Sequence, residues 1–162
     1  MLIPIIMGSK ADLPFAQKIA SALQEFGLPY ELRVASAHKS ARRLLEILAA
    51  YEAAGQVTAY ITVAGRSNAL SGLTDAQVTA PVIACPPYSD AFGGADIYSS
   101  LRMPKGVAPL LVLDPEGAAL AAAKIAGLSD PVVRERVAAY HAQLEASIRV
   151  DDDALRAGEG NP

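Results

Sequence analysis

His38 stands in the run Ser36-Ala37-His38-Lys39, directly after an apolar segment. Histidine gains and loses a proton near neutral pH, which makes it the natural general acid or base of a small enzyme. The only other histidine, His141, falls in a long helical stretch near the C-terminus and reads as structural or solvent-facing. Two further polar runs have the composition of anion-holding turns. In Gly8-Ser9-Lys10-Ala11-Asp12, glycine permits close backbone approach and a following helix offers unpaired N–H groups, an arrangement that accepts phosphate. Ser9 and Asp12 have the spacing of a helix capping box as well, so the segment read locally serves either purpose. It has neither the P-loop spacing nor the dinucleotide-binding glycine pattern. In Gly65-Arg66-Ser67-Asn68-Ala69, N–H and hydroxyl groups suit a small anion or carboxyl group. That run also resembles a Gly-x-Ser-x-Gly nucleophile elbow, which makes a serine hydrolase built on Ser67 and His38 a rival. The histidine precedes the serine here, opposite to the hydrolase order, and the chain is short for that fold.

These runs can act together only if the elements bearing them converge. Residues 2–7 form an apolar run that reads as a buried strand. Residues 12–26 carry Ala16, Ile19, Ala20, Leu23 and Phe26 at helical spacing and end at Gly27. The alternation repeats: strand 30–35, helix 40–54 closed by Gly55, strand 57–64, a weaker helix 68–78, and strand 81–85 before Pro86-Pro87. A loop at 88–94 and a short helix at 95–101 follow. Next come a fifth strand at 107–113, a helix opened by Pro115 that runs to Ala126, and a final helix from Pro131 to about Arg149 or beyond. The expectation is one α/β domain over residues 1–156, with residues 157–162 as a frayed tail. Strand-helix alternation with short connections predicts a parallel sheet covered on both faces, with ligands bound beyond the C-terminal strand ends. The three polar runs and Pro86 to Gly94 all follow strands and therefore share that rim.

Composition narrows the classes. The 162 residues are 52% hydrophobic and 19% charged, ample for a single packed domain with an aliphatic, alanine-rich core. A net charge of -3 without a clustered basic run argues against nucleic-acid binding. The single cysteine, Cys85, lies in an apolar run, lacks partners for a disulfide or zinc site, and reads as a core thiol. The opening residues lack the basic flank and cleavage site of a secretory signal, and no apolar stretch is long enough to span a bilayer. The expected location is the cytoplasm. A phosphoacceptor receiver module would need acidic residues after the first strand and a lysine after the fifth, where this chain has Gly8-Ser9 and Asp114. A non-catalytic nucleotide-sensing module on the same scaffold stays open.

Taken in order, Met7-Gly8-Ser9-Lys10-Ala11-Asp12, Ser36-Ala37-His38-Lys39, Ala64-Gly65-Arg66-Ser67-Asn68, Pro86-Pro87, Asp96-Ile97-Tyr98-Ser99-Ser100 and Met103-Pro104 carry a family signal. The chain resembles the catalytic subunit of phosphoribosylaminoimidazole carboxylase and its sister, the N5-carboxyaminoimidazole ribonucleotide mutase, from Ile5 to about Val150. The resemblance implies a flavodoxin-like three-layer α/β/α sandwich whose long last helix packs on a neighbouring subunit of a homo-octamer. It implies carboxylation of 5-aminoimidazole ribonucleotide by CO2 in purine synthesis, with no cofactor and no metal. His38 then matches the catalytic histidine. Ser9 and Asp12 match positions holding the ribose phosphate, Ser36 and Lys39 belong to the binding run, and Gly65, Ser67 and Asn68 belong to the loop around the reacting carboxyl group. Ala11 departs from the serine that many relatives carry. Lys39, and the absence of histidine from residues 65–71, resemble the branch that uses CO2 directly rather than the mutase.

Overall fold

The computed structural model describes residues 1–158. Five strands, β1 (Ile3–Met7), β2 (Tyr30–Val34), β3 (Tyr60–Val63), β4 (Val82–Ala84) and β5 (Leu110–Leu111), form one parallel sheet in the order β2-β1-β3-β4-β5. The helices are α1 (Leu13–Glu25), α2 (Ala41–Ala54), α3 (Ala69–Asp75), α4 (Tyr98–Leu101), α5 (Pro115–Ala126) and α6 (Pro131–Arg156). The sheet is parallel, as the alternation predicts, and its strand order is the flavodoxin-like one that the family resemblance implies.

The period-two alternation of strand side chains builds the two cores. Ile3, Ile5 and Met7 of β1, Ile61 and Val63 of β3, and Ile83 of β4 face α1 and α5, where Ala16, Ile19, Leu23 and the alanines of α5 close over them. Ile6, Tyr60 and Val82 point the other way, against Leu44, Leu48 and Tyr51 of α2 and Leu70 of α3. Alanine on α5 is what lets this helix approach α1 closely: Ala118, Ala119, Ala122, Ala123 and Ala126 are all fully buried. Pro4 is tolerated inside β1 because pairing with β3 begins only at Ile5, so its missing N–H breaks no rung on that side.

Local chemistry sets the element ends. Asp114 Oδ2 accepts the Gly117 N–H at 2.6 Å and Asp130 Oδ1 accepts the Val132 N–H at 2.8 Å. Proline follows each cap at the first helical position, where its missing N–H costs nothing. Gly55 closes α2 in the left-handed conformation that its sequence position predicts.

Several expected bounds shift, the strand expected at 57–64 to Tyr60–Val63 and the helix expected at 68–78 to Ala69–Asp75 among them. The fifth strand shrinks from the expected 107–113 to Leu110–Leu111, because Pro109 has no N–H to offer and the Ala108 N–H is taken by Asp75 Oδ2 at 2.7 Å. The first helix begins at Leu13, preceded by a 3-10 turn over Lys10–Asp12. The expected short helix at 95–101 is divided: 3-10 turns within Ala91–Ile97, broken by a kink at Phe92, Gly93 and Gly94, which have positive φ, run into α4. The last helix runs past Arg149 to Arg156. Ala157 and Gly158 close it through N–H groups bonded to Asp153 and Leu155 carbonyls, and the remainder of the expected tail, 159–162, lies outside the described residues.

Candidate active site

The sheet order reverses between β1 and β3. The helix after β1 lies on one face and the helices after β2 and β3 lie on the other. A crevice opens at such a switch point, beyond the carboxyl ends of the strands. There the structure has a cavity of about 590 Å³ lined by Ser9, Asp12, Ser36, His38, Lys39, Gly65 and Ser67, which are seven of the eight residues singled out from sequence. Three polar runs separated by some thirty residues each thus meet on one rim, because each leaves a neighbouring parallel strand on the same side.

The β1 turn is a helix start and a cavity wall at once. Ser9 Oγ accepts the Ala11 N–H at 3.2 Å, and the Asp12 N–H bonds the Ser9 carbonyl at 3.1 Å. Burial raises the Asp12 carboxyl above its usual value of 3.8, while the Ser9 backbone N–H and the Arg66 guanidinium act in the opposite direction. Arg66 also lines the cavity, and among the described residues its guanidinium has no hydrogen-bonded or ion-paired partner.

The β2 turn is braced by serines. The Ser36 N–H bonds Ser40 Oγ at 2.9 Å, the Lys39 N–H bonds Ser36 Oγ at 3.2 Å, and the Ser40 N–H returns to the Ser36 carbonyl at 2.9 Å. The effect is to hold His38 and Lys39 out from the turn, both exposed, with the His38 imidazole hydrogen-bonded to nothing among the described residues. An imidazole presented in this way is accessible to a ligand proton. The hydroxyl of Ser36 is spent on the turn itself.

The β3 turn is the most constrained. Arg66 adopts a left-handed backbone with φ 56°, unusual for a residue with a side chain. Among the described residues the N–H groups of Gly65, Arg66 and Ser67 have no acceptor. Successive free N–H groups around a left-handed residue form an anion-binding concavity. Asn68 does not line the cavity. It is buried beneath it, where Oδ1 accepts the Ser71 N–H at 3.2 Å and the Ser71 hydroxyl at 2.9 Å, while Nδ2 donates to Ser100 Oγ at 2.9 Å. Its contribution to the site runs through the loop it anchors.

Arg66, Tyr88 and Ser89 line the cavity without having been selected from sequence. Arg66 lay inside a recognised motif, and the other two lie on the loop after β4 that the strand-end rule had marked. Cys85 is buried with its Sγ 3.8 Å from the Leu113 carbonyl oxygen, and burial together with Asp114 pushes its thiol up to about 12. It is a core residue, as its apolar neighbours had implied.

Comparison with known proteins gives a consistent picture. Residues 2–147 match the AIR carboxylase family. The chain is 56% identical over 152 residues to the phosphoribosylaminoimidazole carboxylase of Archaeoglobus fulgidus, spanning 94% of this chain and 83% of that protein. It is 50% identical over 155 residues to the protein of the same name from Treponema denticola, spanning 96% of this chain and 98% of that protein. The crystal structure of Treponema denticola PurE superimposes with a TM-score of 0.93 at 51% identity, over 95% of this chain and 98% of that one.

Proposed function

The chain belongs to the AIR carboxylase family, and on that premise we propose that its rim cavity carboxylates 5-aminoimidazole ribonucleotide at C4 of the imidazole, giving 4-carboxy-5-aminoimidazole ribonucleotide for purine biosynthesis. The observation that carries the reading is the convergence of His38, the Ser9–Asp12 turn and the Gly65–Ser67 turn in one cavity. The exocyclic amine makes C4 an enamine-like nucleophile. It attacks the carbon of CO2, a C–C bond forms, and one C=O electron pair moves onto oxygen. The work left to the protein is to hold the gas against C4 and to stabilise the charge that develops. The free N–H groups of Gly65, Arg66 and Ser67 are suited to that carboxylate. The adduct bears both hydrogen and carboxylate at C4. His38 takes the proton, the C4–H electron pair returns to the ring, and aromaticity is restored.

Binding energy remote from C4 comes from the other two turns. Asp12, as a carboxylate, suits ribose hydroxyls. Ser9 and Lys39 suit the phosphate or, for Lys39, the new carboxylate. Lys39 after the histidine, and a β3 turn without histidine, favour direct use of CO2 over rearrangement of the N5-carboxylated nucleotide. No cofactor or metal enters this scheme. We also read residues 1–156 as one domain acting in the cytoplasm, in a homo-octamer assembled partly through α6. In support of that assembly, α6 meets its own core through Val133, Val137 and Tyr140 and then leaves Leu144, Ile148, Val150 and Leu155 exposed.

The test is incubation of the purified protein with 5-aminoimidazole ribonucleotide and labelled bicarbonate without ATP, in parallel with the N5-carboxylated nucleotide. Label entering the C4 carboxylate, with little turnover of the N5 compound, is expected. Turnover of the N5 compound alone would make the protein a mutase.

A further inference from the structure

We propose that Ser99 is a positioning residue for the carboxylation, holding the Gly65–Ser67 turn in its anion-accepting shape from a segment more than thirty residues away. The inference rests on the function proposed above. Ser99 Oγ accepts the Asn68 N–H at 3.0 Å and lies 2.9 Å from the Arg66 carbonyl oxygen, to which it donates. It therefore clamps the backbone on both sides of Ser67. The Asp96 carbonyl, at 2.8 Å, competes for the same hydroxyl proton and ties the clamp to the turn that precedes α4. Its neighbour Ser100 accepts from Asn68 Nδ2, so two consecutive serines grip one asparagine.

The clamp continues into the sheet. Asn68 Oδ1 takes the Ser71 hydroxyl at 2.9 Å, and Ser71 Oγ lies 2.8 Å from Thr62 Oγ1 on β3. With the Ser71 proton on Asn68, the Thr62 hydroxyl is the donor of that pair. Thr62 and Ser71 are fully buried, and Asn68 and Ser100 nearly so. A buried, satisfied polar chain of this kind fixes one geometry, because every alternative leaves a group unpaired. What it fixes is the left-handed Arg66. A residue with a side chain adopts that conformation only when its surroundings impose it. Without the Ser99 hydroxyl, the Arg66 carbonyl is released, the residue relaxes, and the three free N–H groups no longer converge. Ser99 does not line the cavity, so its influence on the reaction passes through the turn.

The experiment compares wild type, Ser99→Ala and Ser99→Thr by steady-state kinetics in each substrate and by hydrogen exchange at the Asn68 amide. Ser99→Ala is expected to lower kcat/KM for CO2 by roughly tenfold, the worth of about one hydrogen bond. KM for the nucleotide should stay within about threefold, since the Ser9–Asp12 turn is untouched. Ser99→Thr should return most of the loss. Asn68 amide exchange should be slow in wild type and faster in Ser99→Ala. Unchanged CO2 kinetics in a folded Ser99→Ala protein would overturn the proposal, and so would a nucleotide KM that rises by as much as kcat/KM for CO2 falls. Should Ser99→Ala fail to fold, fast exchange of the wild-type Asn68 amide would still overturn it. Wild type that protects this amide yet adds no carboxylate to the nucleotide would refute the proposed function and leave the clamp standing.

Discussion

Asn68 and Ser67 are adjacent in sequence, and the structure predicts opposite consequences for their truncation. Asn68 is 3% exposed and spends both ends of its amide on Ser71 and Ser100. Ser67 is exposed, and its hydroxyl has no partner among the described residues. In Asn68→Ala the Ser71 N–H, in the first turn of α3, loses its cap, worth about 1 kcal/mol. The Ser100 hydroxyl loses its donor in a nearly dry site, at a cost of about 1 kcal/mol or more. The Ser71 hydroxyl loses an acceptor too, but it can turn its proton to Thr62 at 2.8 Å, so its share is the smallest. The expected loss is about 2 to 3 kcal/mol. With a urea slope of about 2 kcal/mol/M, the unfolding midpoint falls by about 1 to 1.5 M. Ser67→Ala should stay within about 0.5 kcal/mol of wild type. The assay is urea unfolding at one fixed protein concentration, because assembly would otherwise shift the midpoint. Equal midpoints for the two variants would refute the reasoning and return Asn68 to the role of a ligand contact.

Other outcomes follow from the same geometry. His38→Asn should lose turnover by about a hundredfold or more while nucleotide affinity is largely kept, measured by kcat alongside calorimetric titration. Its unfolding midpoint should not move, because the imidazole is exposed and packs nothing. Burial raises the Asp12 carboxyl in the folded protein, so its ionisation weakens the fold as pH rises through the carboxylate range. Asp12→Asn should therefore gain stability relative to wild type as pH rises above the usual carboxyl value of 3.8 and hold that gain once the native carboxyl is ionised, seen in unfolding midpoints across pH. The same variant should raise the nucleotide KM. Cys85, with its thiol pushed up to about 12 and its side chain buried, should resist thiol reagents at pH 8 in the native protein and react on unfolding, followed by mass spectrometry.

Much of this molecule is legible in its sequence because parallel sheets write themselves locally. Ile3 to Met7 is apolar on both faces, α1 repeats at helical spacing, and a glycine or proline marks most element ends. Once the alternation is read, the strand-end rule places His38, Ser9 and Ser67 on one rim without any tertiary information. The extent of the fifth strand escaped because its start was decided by Asp75, thirty-three residues away, which captures the Ala108 N–H. Asn68 escaped for the same reason. Its type and position suit a ligand contact, but its partners Ser99 and Ser100 lie more than thirty residues on, and only folding brings them beneath the turn. Arg66 lay in plain view within its motif, yet no local rule announces a left-handed arginine. In each case the missing information was where a polar atom finds its partner, which periodicity does not encode.

The most direct test of the central claim is a crystal structure of the protein with 5-aminoimidazole ribonucleotide bound. C4 of the imidazole is expected within about 3.5 Å of the His38 ring, as a reacting pair requires. That carbon is expected against the Gly65–Ser67 turn, with the ribose on Asp12 and the phosphate toward Ser9 and Lys39. A nucleotide seated with C4 remote from both His38 and that turn would contradict the claim.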